Sequence, residues 1–246
     1  MNPIVSLEDV SLRYHSIGGE TSAVSHLSLS VQAGEFISIV GPSGCGKSTI
    51  LSMLAGQLAP SEGSIYIGGT IGYMLQKDHL FEWRTIRSNA YLGLEIQKKM
   101  DPDHEKKVEE LLKAYGLGNF AEARPSELSG GMRQRAALIR TLILKPDLLL
   151  LDEPFSALDY QTRLSVCDDI ASIIRKTKKT AILITHDLAE AISTADRVLV
   201  LSARPGQVKA NIPLAFAPQY DSPLKRRNAP EFAGYFKQVW NELREP

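Results

Sequence analysis

Residues 41–49, GPSGCGKST, combine the residue types and the spacing that bind phosphate groups. They fit the pattern G-x-x-x-x-G-K-[ST], whose glycines let the backbone curl so that successive amide N–H groups point at phosphate oxygens. Lys47 is expected to reach the β- and γ-phosphates, and Ser48 to offer its hydroxyl to Mg²⁺. A chance match has a probability of about 1% in a chain of this length. The segment predicts ATP binding through Gly41, Pro42, Ser43, Gly44, Cys45, Gly46, Lys47, Ser48 and Thr49.

A pair of carboxylates, Asp152 and Glu153, ends the apolar run LLLLDEP at residues 148–154. Asp152 is expected to hold Mg²⁺ through its water shell, and Glu153 to polarise the attacking water as general base. Acidic pairs in solvated turns are common, so this motif alone does not decide between the two interpretations. Parallel strands should bring it to the same sheet edge as the phosphate loop. That placement favours ATP hydrolysis.

A second anion site is indicated by LSGGMRQR at residues 128–135. Ser129 is a good N-cap, and Gly130 and Gly131 leave the first amides of the following helix uncovered, although each costs about 1 kcal/mol relative to alanine. A helix N-terminus of this kind favours anions. The phosphate loop already encloses its own nucleotide from one side, so this second site is better explained by a nucleotide bound on another molecule. The alternative is a helix start with an incidental Gly-Gly.

The elements that must position these motifs follow from hydrophobic periodicity. Alternation at residues 10–14 and 27–31 predicts half-buried antiparallel strands. Short apolar runs at 36–40, 148–151, 181–185 and 198–201 predict strands buried on both faces, and the helices expected at 47–55 and 160–175 make the sheet parallel. From 83 to 141 the pattern is helical, with no convincing strand. A last amphipathic helix should place Phe232, Phe236, Val239, Trp240 and Leu243 on one face.

Composition excludes several classes of protein. The 28 basic residues balance 28 acidic ones, which argues against a general nucleic-acid binder. The two cysteines, Cys45 and Cys167, have no metal-ligand spacing and suggest reduced thiols. No apolar stretch approaches the ~20 residues that cross a bilayer, and residues 1–10 lack the pattern of a secretory signal. We expect a soluble, cytosolic chain.

The phosphate loop, LSGGMRQR, LLLLDEP and the SALD segment at residues 156–159 together resemble the ATP-binding cassette (ABC) ATPases. The resemblance runs from about Ile4 to Leu201. It implies an α/β fold: a P-loop NTPase core with a mainly parallel sheet, an N-terminal antiparallel β-subdomain and an inserted α-helical subdomain. The divisions expected are 1–82 with 142–215 for the core and β-subdomain, 83–141 for the helical subdomain, and 216–246 for the C-terminal tail.

The resemblance also implies a head-to-tail homodimer that holds two ATP molecules. Each nucleotide would lie between the phosphate loop of one subunit and Ser129, Gly130 and Gly131 of the other. Gln76 matches the glutamine that senses Mg²⁺ and water, although it could be an ordinary loop residue. His186 matches the histidine that contacts the γ-phosphate, although a lone histidine is more often structural.

The resemblance implies a functional role for two further residues, each of which also has a simpler structural explanation. Asp159 matches the loop that touches the opposite subunit; its simpler role is the N-cap of the next helix, and both can be true. Tyr14 is placed to stack on adenine, and it could equally be a strand residue that packs inward.

Two functional classes are compatible with these motifs. One is the ATPase subunit of a bacterial-type importer, which would lie peripherally on the cytoplasmic side of the cell membrane. It would bind separate permease subunits near residues 76–83 and work indirectly with a solute-binding protein. The other is a soluble ABC-type ATPase that acts on DNA or ribosomes. One cassette, with no heptad run and no zinc spacing, favours the importer and no nucleic-acid partner.

The region after Gln76 narrows the expected group of importers. The stretch up to Glu95 and the segment LSARPGQV at 201–208 are similar to the nitrate, sulfonate, taurine and bicarbonate importers, and importers for pyrimidine precursors share the pattern. Phe81-Glu82-Trp83 replaces the more usual Leu-Pro-Trp, and Tyr160 stands where a small residue is commoner. The solute stays open. The C-terminal helix is expected to pack on its own subunit, with a partner surface or membrane contact as the alternative.

Overall fold

The structure, a computed structural model, describes residues 3–16, 19–156 and 158–244. Nine strands and eight α-helices follow one another in these described ranges, and two single 3₁₀ turns lie at Gly118–Phe120 and Pro125–Glu127. The strands and helices are β1 (Val5–Ser16), β2 (Gly19–Val31), β3 (Phe36–Val40), α1 (Lys47–Leu54), β4 (Glu62–Ile67), β5 (Ile71–Met74), α2 (Ile86–Ile96), α3 (Pro102–Ala114), α4 (Gly130–Leu142), β6 (Leu148–Asp152), α5 (Tyr160–Lys176), β7 (Thr180–Ile184), α6 (Leu188–Thr194), β8 (Arg197–Leu201), β9 (Val208–Pro213), α7 (Pro223–Arg226) and α8 (Phe232–Arg244).

Two sheets form the scaffold. The larger has the order β5-β6-β7-β3-β8-β9, with parallel pairs except for the antiparallel edge pair β8–β9. The smaller is antiparallel, with the order β2-β1-β4. The α/β fold with a mainly parallel sheet and an N-terminal antiparallel part is therefore confirmed. Sequence reasoning missed β9, because its polar residues on an edge strand show no apolar run.

The buried strands consist of continuous apolar runs because the large sheet is covered on both faces. In β6, Leu149 and Leu151 face one hydrophobic cluster, which the helices α2 to α5 cover. Leu148 and Leu150 face a second cluster, shared with α1 and the antiparallel sheet. Each face of one strand thus removes apolar side chains from water, which stabilises the fold in proportion to the area buried.

The region between β5 and β6 is helical in the described chain, as its periodicity predicted. Each of its α-helices starts at a side-chain cap: Thr85 accepts from Ser88 N, and Asp101 from His104 N. In α4 the stripe Ala136, Ile139 and Ile143 is buried against the first cluster. None of the described helices combines the length and the apolar character needed to cross a membrane.

The C-terminal helix α8 packs on its own chain, as expected, but through a different face. Val239 is buried in a third cluster beneath α6, with Phe232, Tyr235 and Leu243 packed around it. Phe236 and Trp240 are 38% and 47% exposed, so the prediction that they share the buried face is wrong. The spacing of Phe232, Tyr235 and Val239 follows the helical period more closely, and Tyr235 Oη also accepts from Ala215 N at 3.0 Å.

Candidate active site

The phosphate loop joins the carboxyl end of β3 to the first turn of α1. Gly44 and Gly46 have φ values of 76° and 103°, in the left-handed region that glycine adopts without strain. A Cβ on Gly46 would stand 2.8 Å from the carbonyl oxygen of Ala23, so no larger residue fits. Lys47 Nζ donates to Gly41 O at 2.7 Å and to Pro42 O at 2.9 Å, so the ammonium is folded over its own loop.

A cavity of about 280 Å³ lies above this loop. Tyr14 lies at its rim, 41% exposed, with its hydroxyl 3.2 Å from Thr49 Oγ1. The inward-packing alternative for Tyr14 is therefore wrong. The lining residues are Tyr14, Ala23, Ser43, Gly44, Gly46, Lys47, Ser48, Thr49, Glu153 and Arg204. Gly41, Pro42 and Cys45, the remaining loop residues of the prediction, do not line it, and Cys45 is buried in the second hydrophobic cluster.

Three polar side chains meet where neighbouring parallel strands end. Gln76 follows β5, Glu153 follows β6 and His186 follows β7. Gln76 Nε2 lies 3.4 Å from Glu153 Oε2, and His186 Nδ1 lies 3.1 Å from the same oxygen. Because the carboxyl ends of parallel strands share one edge, residues distant in sequence converge on one carboxylate. Glu153 itself has a φ of 43°, a strained conformation for a non-glycine residue that often marks functional sites.

Electrostatics at this edge indicate a place for a cation. Burial, and then the neighbouring charge of Glu153, raises the pKa of Asp152, although a hydrogen bond from Tyr73 and the charge of Lys47 oppose the rise. Tyr73 Oη donates to Asp152 Oδ2 at 3.5 Å, and burial followed by the charge of Asp152 raises the pKa of Tyr73 to about 12. Asp152 and Glu153 are adjacent, partly buried carboxylates, and Mg²⁺ prefers oxygen ligands of this kind. The predicted metal residues, Ser48, Gln76 and Asp152, offer such oxygens.

The LSGG segment lies away from this cavity. Ser129 Oγ accepts from Met132 N at 3.4 Å and caps α4, and none of residues 128–131 lines the cavity. Gly131 is buried, and a Cβ there would stand 2.7 Å from Thr162 Cγ2. Close packing of α4 on α5 therefore requires this glycine, in addition to any effect on the amides. Asp159 is exposed and accepts from Thr162 N at 3.1 Å, so its simpler role as the cap of α5 is present.

Sequence reasoning missed two residues at the site. Tyr73 lies in β5, and its contact with Asp152 follows from the parallel register of β5 and β6. Arg204 was noted only within LSARPGQV, yet it lines the cavity from the loop between β8 and β9. The pairing of β8 with β3 brings this loop to the same edge as the phosphate loop, and no local sequence pattern indicates that pairing.

These features define a P-loop nucleotide-hydrolysing protein: a glycine-rich loop opens a helix beside a carboxylate that two polar groups hold. The family model described as ABC transporter matches residues 24–156. The chain belongs to the ABC transporter family and is an ATP-binding ATPase of that family.

Similar proteins cover nearly the whole chain. It is 43% identical to the uncharacterized ABC transporter ATP-binding protein YtlC of Bacillus subtilis, over 96% of this chain and 94% of that protein. It is 38% identical to the taurine import ATP-binding protein TauB of Roseobacter denitrificans, over 97% and 93% of the two chains. Among solved structures it resembles the dimeric post-hydrolysis state of the ATP-binding cassette MJ0796 bound to ADP and Pi. The TM-score is 0.74 at 30% identity, with 86% of this chain and 99% of that chain covered.

Proposed function

We propose that this chain is the ATP-hydrolysing subunit of an importer for a small solute, and that it works on the cytoplasmic side of the cell membrane. The observation that carries the enzymatic part is the convergence of Gln76 and His186 on Glu153 beside the phosphate loop. The import part rests on likeness to a chain named as a taurine import protein.

Hydrolysis would begin with displacement of Lys47 from the carbonyls of Gly41 and Pro42, so that its ammonium reaches the phosphates. Glu153 would then accept a hydrogen bond from water and polarise it toward the γ-phosphate, which is general-base catalysis worth typically 10²–10⁴-fold. His186 would contact the γ-phosphate and, through its 3.1 Å contact, orient Glu153. Ser48, Gln76 and Asp152 would hold Mg²⁺, which neutralises charge on the β- and γ-phosphate oxygens when bound.

The site is proposed to be completed by a second copy of the chain. Ser129, Gly130 and Gly131 would face the nucleotide of the partner subunit, with Asp159 nearby at the interface. The exposed N-terminus of α4, which lies outside this chain's own cavity, supports this arrangement. The structure similar to this chain is described as dimeric, which supports it further.

The permease subunits are proposed to bind at residues 76–83, beside a helical subdomain at 83–141. Phe81 and Trp83 stack with ring centroids 4.6 Å apart, and Trp83 is 71% exposed. Large exposed aromatic side chains are typical anchors of protein interfaces. Gln76 joins this surface to Glu153, so permease movement and hydrolysis would be coupled. The core at 1–82 and 142–215 and the tail at 216–246 complete the proposed domain division.

The solute is proposed to be a small organic or inorganic anion of the nitrate, sulfonate, taurine and bicarbonate group, or a pyrimidine precursor. The relative named for taurine import favours a sulfonate. A solute-binding protein would select the solute, since the ATPase subunit lies on the other side of the permease.

Co-purification from native membranes tests the proposal. The wild-type chain should recover a multi-spanning permease and a solute-binding protein, and Trp83→Ala should lose both. Trp240→Ala is the matched control, because Trp240 is also exposed but lies on α8. Recovery of DNA or ribosomes with the wild type would instead support the soluble alternative. In vesicles that hold the complex, taurine, other sulfonates, nitrate, bicarbonate and pyrimidines are then compared for stimulation of ATP hydrolysis.

A further inference from the structure

The nucleotide cavity contains a second cation besides Lys47, and none of the sequence motifs assigns it a role. Arg204 lines the cavity from the loop between β8 and β9. Its Nε donates to Ser22 O at 3.1 Å, whereas Nη1 and Nη2 donate to no described residue. Lys47, in contrast, already donates to two carbonyls of its own loop. The guanidinium of Arg204 therefore keeps two NH₂ groups available for a ligand.

The loop that carries Arg204 is held firmly against the phosphate loop. Gly206 N donates to Ala23 O at 2.9 Å, and Ser25 N donates to Gly206 O at 3.1 Å, which fastens the loop to β2. Gly206 also lies so close to the carbonyl of Cys45 that a Cβ would not fit. A donor held in place in this way loses little conformational entropy when a ligand binds.

The position of Arg204 in the cavity identifies the part of the nucleotide that it faces. Ser22, which holds Arg204, is adjacent to Thr21, the cross-strand partner of Tyr14. Ala23 in turn lies against Gly46 at the start of α1. Residues 22 and 23 thus run between the base end of the cavity, at Tyr14, and the end that binds the terminal phosphates, at Lys47. The group between base and terminal phosphates is the ribose with the α-phosphate, and guanidinium donors match phosphate oxygens rather than a neutral sugar.

We propose that Arg204 is a further nucleotide-binding residue, whose guanidinium binds the α-phosphate of ATP. The proposal rests on the ATP site that the proposed function also uses. The α-phosphate is present in ATP and ADP and absent from adenosine, so Arg204 strengthens the binding of substrate and product alike. It thereby slows the release of ADP after hydrolysis.

Competition of ATP, ADP and adenosine against a fluorescent ATP analogue tests this in the purified subunit. Arg204→Gln keeps a donor for Ser22 O but removes the charge, so it separates phosphate binding from bracing of the loop. We expect it to weaken ATP and ADP binding by about tenfold, the effect of losing a charged hydrogen bond. Adenosine binding should not change, and Arg204→Lys should restore part of the loss. The tenfold difference should shrink as salt is added.

Two results would overturn the assignment. Arg204→Gln could bind ATP as tightly as the wild type, or it could lose adenosine affinity by the same factor, which would indicate a collapsed loop. Arg13→Met is the matched control, because Arg13 neighbours Tyr14 in β1 but pairs with Glu62 outside the cavity. Lys47→Ala separates the two proposals. If both Lys47→Ala and Arg204→Gln leave ATP binding intact, the ATP site itself is misplaced. If Lys47→Ala abolishes ATP binding and Arg204→Gln does not weaken it, only the role of Arg204 is wrong.

Discussion

The phosphate-loop side of this chain and its LSGG end differ in how complete they are. Around the phosphate loop, side chains from the ends of three strands already contact one another at Glu153. At the LSGG end, the Ser129 hydroxyl caps α4, and the exposed start of this helix does not line the chain's own cavity. One region has its groups assembled within the chain, whereas the other has the form of a donor surface for a second molecule. Hydrolysis would then report whether two subunits have closed.

A short segment connects the two regions. Gln76 contacts Glu153, and two residues later Asp78 accepts from Arg133 Nε at 2.9 Å, in the second turn of α4. Arg140, further along α4, donates to the carbonyls of Asp78 and His79 at 2.6 Å. Movement of α4 on binding a second subunit would therefore reach Gln76 through these contacts. The two regions are thus connected by a continuous series of side-chain contacts.

Removing the carboxylate of Glu153 should have the largest effect on turnover, and it changes the phosphate-loop side alone. Glu153→Gln keeps the size of the side chain but cannot accept a proton, so turnover should fall by about 10²–10⁴-fold. ATP binding should survive, because the phosphate loop is untouched, and the variant should trap a dimer. Measured phosphate release and size-exclusion chromatography with ATP check both parts. Full hydrolysis by this variant would remove Glu153 from the role of base.

A mixture of two inactive variants tests whether the LSGG end completes the ATP site of a second subunit or acts within its own chain. Lys47→Ala disables the phosphate loop, and Ser129→Arg disables the LSGG end. A mixed dimer would keep one intact composite site, so random pairing should restore about a quarter of wild-type turnover. The ATPase rate of the mixture is compared with that of each variant alone. A mixture no faster than its components would contradict a site shared between subunits.

Features of this fold and site differ in how far the sequence could predict them. The phosphate loop and the buried strands could be read directly, because the backbone curl needs glycines and strands covered on both faces need continuous apolar runs. Contacts that depend on register could not, such as Tyr73 with Asp152 and Arg204 in the cavity, since no local pattern records which strands lie side by side. The outward position of Trp240 was missed for a related reason: a broad apolar stripe does not show which of its sides meets the core.

Gly131 tests the structural part of the LSGG end. Gly131→Ala places a Cβ 2.7 Å from Thr162 Cγ2, and such overpacking costs about 1–3 kcal/mol. Better helix propensity returns up to about 1 kcal/mol, so a net loss of about 1 kcal/mol in the free energy of unfolding is expected. Thermal unfolding should show it as a lower Tm, which Thr162→Ser restores in part by removing the methyl group, since Val166 Cγ2 stays 3.0 Å from the added Cβ. Gly234→Ala in α8, where a Cβ meets nothing within 4 Å, should raise Tm instead; an equal shift in both variants would contradict a packing role.

The smallest expected effect is on the pH dependence of stability. It tests the contact between Asp78 and Arg133 that connects the two regions. Burial alone would raise the pKa of Asp78, but hydrogen bonds from Arg133 and from Leu80 N–H, with the charge of Arg133, outweigh it and leave the pKa lowered. A carboxyl group whose pKa is lowered in the folded state contributes stability above its unfolded pKa of ~3.9. That contribution is lost as the pH falls through the folded value. Asp78→Asn should therefore lose stability at neutral pH and show a flatter decline on acidification, measured by urea unfolding from neutral pH toward pH ~3.

Asp103→Asn, which removes an exposed carboxylate in the first turn of α3, is the control for loss of a negative charge away from the ion pair of Asp78 with Arg133. If Asp78→Asn declines as steeply as the wild type, the ion pair with Arg133 does not hold α4 to the segment that carries Gln76. The ATPase rate distinguishes a role in coupling the two regions from a role in stability alone. A real connection predicts that Asp78→Asn also weakens the dependence of hydrolysis on subunit concentration, because closure at the LSGG end would no longer reach Glu153. Unchanged concentration dependence with a flatter acid profile would show that the ion pair stabilises the fold without joining the two regions.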